Sequence, residues 1–142
     1  MTSAREKSFV LFPLGGKRFA LPAETVSELA RPDRLQTFPH TTPLLAGVLF
    51  RRGRVVPVCD VAPVLVGSQT PPRKFYLIAN RSFGSVRERT AIPVTGECTL
   101  TSSALLPPTG KLPGYVCGLL SLPDEIVEVL DLERLAATEV RA

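Results

Sequence analysis

Apolar positions in this chain come in short runs, each cut by glycine, proline or a polar cluster, and almost every run has the length and composition of a strand. Residues 8–14 (SFVLFPL) form the first, and Gly15-Gly16 follows as a hairpin turn in which both glycines can take positive φ. Residues 17–21 return with Phe19 and Leu21 on one face, and Pro22 stops them. A helical turn at 23–25 leads to a strand at 26–30, with Val26, Glu28 and Ala30 expected on one face. Residues 34–43 read as loop. Residues 46–50 and 54–60 are a hairpin around Arg51, Arg52 and Gly53, with Gly53 supplying positive φ. Pro57 has no N–H for a ladder, so the returning strand is expected at a sheet edge or bulged. A short helical segment at 61–66 follows.

Beyond a connector at 67–73 (GSQTPPR), strands are expected at 74–79 and 89–94 around a mobile polar loop at 80–88. A further strand is expected at 97–100. Residues 101–114 should hold no regular structure beyond a turn at 102–105. Residues 115–121 and 126–131 form a last hairpin, and 132–140 an amphipathic helix through Leu132, Leu135 and Ala136.

The two halves echo each other. Gly47 and Gly118, Val55 and Ile126, Val58 and Val129, Asp60 and Asp131, and Val61 and Leu132 are each 71 positions apart. A period near half the chain is what a duplicated small barrel leaves. Barrel closure also removes most unpaired strand edges, and a groove between two barrels would be the natural binding site.

Composition narrows the function. A chain of 142 residues can bury a core, and its 14 prolines and 10 glycines favour strands and turns over long helices. No apolar run is long enough to span a bilayer. Arg5 and Lys7 precede the apolar run at 9–14, but Pro13 and the glycine pair cut it and no small-residue cleavage site follows, so a cytoplasmic protein is expected. Cys59, Cys98 and Cys117 stand far apart and His40 is alone, so no zinc or iron–sulfur spacing is present. There is no Ser/His/Asp pattern, Walker loop or GxGxxG, and no cofactor is expected. Asp60 and Asp131 follow equivalent strands and are expected to cap the helical turns after them.

The order Gly47-Val48, Arg52-Gly53, Val56-Pro57-Val58 and Asp60 resembles the CheW coupling-protein family, in which this segment commonly runs G-V-x-N-L-R-G-x-x-V-P-V-x-D-L. Phe50 stands where the family usually has asparagine, and Arg51 where it usually has leucine. The opening LFPLGGKRFALPAETVSELAR is similar to the family's first hairpin and the V-x-E-[IL] strand after it. The resemblance covers roughly residues 8–138. It implies an all-β fold with minor α content: two intertwined SH3-like five-stranded barrels and a short C-terminal helix. A flexible tail at 1–7 would precede one CheW-like domain at 8–142, with half-barrels roughly at 8–66 and 74–138.

The resemblance further implies a non-enzymatic adaptor that couples chemoreceptor tips to the SH3-like regulatory domain of a CheA-type histidine kinase at membrane-associated arrays. Carried over by position, receptor binding would fall to Glu28 and Arg52, with Gly53 in the turn and Val26, Phe50 and Val55 as apolar candidates. The kinase surface is unassigned beyond Val94 and Thr95, the latter standing where the family often has aspartate. Two other readings remain: a diverged CheW-like protein that serves a receptor or another signalling partner without the kinase, and a small barrel that binds nucleic acid through Arg51, Arg52 and Arg54 beside Phe50. Low net charge (+4) and few aromatics weigh against the last.

Overall fold

In the computed structural model, residues 6–31, 45–67, 75–83 and 86–138 are described. The loop expected at 34–43, most of the connector and His40 lie outside them. Ten strands build two five-stranded sheets: β1 (Glu6–Leu14), β2 (Lys17–Pro22), β3 (Val26–Ala30), β4 (Leu45–Arg51), β5 (Arg54–Cys59), β6 (Phe75–Phe83), β7 (Val86–Val94), β8 (Thr99–Ala104), β9 (Val116–Ser121) and β10 (Ile126–Leu130). Two short helices, α1 (Ala62–Leu65) and α2 (Leu132–Thr138), follow β5 and β10.

Barrel I has the strand order β8-β1-β2-β10-β9 and barrel II the order β3-β6-β7-β5-β4. The segments 8–66 and 74–138 are therefore repeats and not the barrels themselves. Each repeat gives its opening hairpin to the barrel completed by the other repeat's last three strands, which is what intertwines them. The period of 71 holds at the level of single pairs. Gly47 faces Val58 and Gly118 faces Val129. Val58 meets Ala91 in a parallel pair, and Val129 meets Ala20. The same irregularity also recurs, because the register skips Ala46 in β4 and Cys117 in β9.

Three apolar cores result. Phe9, Leu11, Ala20, Leu120, Val127 and Val129 fill barrel I, while Ala30, Leu49, Val56, Val58, Tyr76, Ile78 and Ala91 fill barrel II. The largest core lies between them and includes Phe12, Leu14, Phe19, Leu21, Leu77, Ile92, Val94 and Leu135. Phe19–Leu21 of β2, Tyr76–Ala79 of β6 and Ala91–Val94 of β7 are thus buried on both faces, which explains why these stretches are continuously apolar. The expected groove between the barrels is filled by this shared core; an open pocket beside it holds about 270 Å³ and is lined by Thr25, Asn80, Cys117, Asp131 and Glu133 among others.

Several local expectations are corrected. β1 starts at Glu6, because Glu6 and Lys7 pair with Ala104 and Ser103 of β8. Only Gly15 of the glycine pair has positive φ (66°), as a type II′ turn needs. β5 is interior to its sheet despite Pro57, and its ladder to β7 shrinks to the pair Val58–Ala91. The polar loop expected at 80–88 is mostly strand, since β6 and β7 stay paired out to Phe83 and Val86. β8 extends to Ala104, although its outward Ser and Thr residues read as loop. Asp60 and Asp131 do accept backbone N–H groups, from Ala62 at 3.2 Å and from Glu133 at 3.0 Å.

Candidate docking surface

One end of barrel II gathers most of the residues singled out above. The β4–β5 hairpin closes through Arg52 and Gly53 alone, since Arg51 already pairs with Arg54. Both turn residues are left-handed, Arg52 at φ 52° and Gly53 at φ 74°, which is the type I′ geometry that matches strand twist. A β-branched side chain at Gly53 opposes that backbone, so Gly53→Val should cost roughly 1–2 kcal/mol and lower the melting temperature. An unchanged thermal transition would contradict the turn.

A bulge orients the neighbouring strand. Val26 pairs with Ala79 and Glu28 with Ile78, so Ser27 is the extra residue. Val26 consequently packs on the shared core, whereas Ala30 enters the barrel II core. Val26, Glu28 and Ala30 do not share a face as the simple alternation predicted. Glu28 instead reaches the hairpin. Arg51 Nε donates to its Oε1 at 2.6 Å, and Arg52 Nη2 lies 3.3 Å from its Oε2. Arg51, then Arg52 and Arg89, hold the Glu28 carboxyl below the usual glutamate range against the opposing effect of burial. These contacts span β3 and β4, the two edge strands of the barrel II sheet. A carboxylate with a depressed folded-state pKa contributes stability above its unfolded value, 4.5, and loses it as pH falls through the folded value. Acid titration should therefore destabilise the wild type more than Glu28→Gln, measured by denaturant midpoint on either side of that pH.

Phe50 and Val55 form a cross-strand pair on the outer face, each 57% exposed. Arg51 was missed as a partner of Glu28. The alternation of β4 carries the signal, because buried Gly47 and Leu49 share parity with Arg51 and direct it to the same side.

The equivalent hairpin of barrel I carries an acidic tip, Asp124-Glu125, where barrel II has arginines. Leu122 and Glu125 exchange backbone hydrogen bonds around Pro123-Asp124, 71 positions after the Arg51–Arg54 turn. Arg18 pairs with Glu125, and Ile126 is exposed where Val55 is.

Val94 and Thr95 do not form an exposed patch. Val94 is buried in the shared core, which removes it as a direct contact. Thr95 Oγ1 accepts from Gly15 N at 2.9 Å and donates to Pro13 O at 3.2 Å, tying the first turn to the end of β7. Aspartate could accept there but, once ionised, could not donate. Thr95→Val should cost about 1–2 kcal/mol by leaving Gly15 N–H without its acceptor, read by chemical denaturation. No loss would mean that these bonds do not hold the hairpin.

Among the described residues, no group of three or more His, Cys, Asp or Glu could hold a metal, and no helix is long and apolar enough to cross a membrane. Burial pushes the Cys98 thiol up to about 11, which keeps it protonated at neutral pH.

The CheW-like domain profile matches residues 8–140. The chain belongs to the CheW-like domain family. Members are non-enzymatic scaffold and coupling proteins of chemotaxis-type signalling. The scaffolding protein TtCheW from Thermoanaerobacter tengcongensis has a similar fold, with a TM-score of 0.76 at 18% identity over 92% of each chain. Protein FrzA of Myxococcus xanthus is 38% identical over 56 residues, a segment covering 39% of this chain and 35% of FrzA. The family assignment agrees with the interwoven barrels and with the motif around the Arg52-Gly53 turn.

Proposed function

We propose that this CheW-like protein couples the helical-hairpin tip of a chemoreceptor to the regulatory domain of a CheA-type histidine kinase, without chemistry of its own. The observation that carries the reading is the end of barrel II. There an exposed Phe50–Val55 pair lies on the hairpin whose Arg51 and Arg52 pair with Glu28, within the segment that matches the family motif. Apolar anchors with a charged rim suit a helix laid on a surface. Glu28, Phe50, Arg52 and Val55 would meet the receptor, Gly53 would set the turn, and Val26 would act through the shared core. The kinase would dock elsewhere, and receptor binding would recruit the protein to membrane-associated arrays. Separate pull-downs of a receptor hairpin-tip fragment and of a kinase regulatory domain test this. Retention of both supports coupling. Retention of the receptor alone would identify a diverged member that serves receptors without the kinase, and retention of neither would overturn the reading.

A further inference from the structure

Among the described residues, Glu28 forms ion pairs with two arginines and treats them unequally. Arg51 makes the 2.6 Å hydrogen bond and is 35% exposed, whereas Arg52 stands at 3.3 Å and is 71% exposed. A largely solvated ion pair is held weakly, so the Arg52 guanidinium can exchange its contact for another at little cost. Position 51 is also where this sequence departs from the common family pattern, which has leucine there.

We propose that Arg51 is a specificity-determining residue, serving as the counter-ion of Glu28 so that Arg52 is released to receive an acidic side chain of the docking partner beside Phe50 and Val55. This rests on the reading that the partner at this end of barrel II is a receptor tip. With leucine at 51, Glu28 would retain Arg52 as its nearest cation and draw it inward. With arginine, the carboxylate is already satisfied, and Arg51, Arg52 and Arg89 around it give this end an excess of positive charge. The backbone favours the same outcome, because the left-handed turn places Arg52 at the apex of the hairpin. The complementary partner is a helix carrying a carboxylate next to apolar residues at a spacing of about three or four positions.

The test has two arms. The first needs no partner: guanidinium NMR signals of the free protein. Wild type should show a solvent-protected Arg51 signal that Glu28→Gln abolishes, and Arg51→Leu should transfer protection to Arg52. Absence of that transfer would overturn the proposal. The second is calorimetry with a receptor hairpin-tip fragment at several salt concentrations. Arg51→Leu should weaken binding about tenfold and flatten its salt dependence. Arg52→Gln should do the same in wild type but add little in the Arg51→Leu background. Full wild-type affinity in Arg51→Leu, together with a tenfold loss in Arg52→Gln, would overturn it. If the wild type binds no receptor fragment, the receptor reading fails, and the first arm alone decides whether Arg51 releases Arg52.

Discussion

Gly118→Ala should lower the stability of the protein by about 3 kcal/mol, the upper end of overpacking costs, and its melting temperature by roughly 10 °C. A Cβ on Gly118 would lie 2.8 Å from Leu106 O and 2.9 Å from Leu105 Cγ, with Leu105 Cδ1 closer still. The leucine side chain can swing away, but the Leu106 carbonyl cannot. It accepts from Leu119 N at 2.9 Å, while Leu106 N donates to Leu119 O at 2.9 Å. That exchanged pair is where the segment after β8 meets β9 and shuts barrel I. Relieving the clash would open the seam and expose two backbone groups that would then need other partners. Gly114→Ala is the control: a Cβ there meets nothing within 4 Å, and its cost should stay within about 0.5 kcal/mol. Thermal denaturation of both variants decides, and equal melting temperatures would mean that barrel I does not close over Gly118.

Arg52→Glu should weaken receptor binding by about 2 kcal/mol, close to thirtyfold, while changing stability far less. Arg52 is 71% exposed at the apex of the turn, so its reversal disturbs no core contact. The substituted carboxylate would face Glu28 and compete with it for Arg51. The surface offered to an acidic partner would then repel it. Binding of the kinase regulatory domain should fall less, if that surface lies away from barrel II. Calorimetry against each partner, with circular dichroism as the check on folding, measures this. Loss of both partners in a folded variant would indicate a shared surface.

Much of the fold was legible because the strands announce themselves locally. Gly53 demanded a left-handed turn and has one, and the period of 71 predicted paired barrels whose equivalent residues occupy equivalent registers. What failed to show was pairing at a distance. Nothing local in residues 6–22 states that they join a barrel with residues 99–130, because strand partners are chosen by the shared core and not by sequence neighbours. β8 was underestimated because Thr101, Ser102 and Ser103 carry little apolar signal when backbone pairing to β1 holds the strand. The site was half legible: the motif pointed to Arg52, and Glu28 to its strand. Their contact, and the stronger one with Arg51, depend on a bulge at Ser27 that no residue pattern betrays. Val94 was misjudged because a hydrophobic residue at a strand end gives no sign of whether it faces a partner or a second barrel.

The most direct test of the docking surface is a heteronuclear NMR titration of the isotopically labelled protein with a receptor hairpin-tip fragment. Amide shifts should cluster at residues 27–29 and 48–56 of barrel II and spare the equivalent hairpin end at residues 121–126 of barrel I. Shifts centred on residues 121–126, or none at concentrations that saturate a family member known to bind the same fragment, would contradict it.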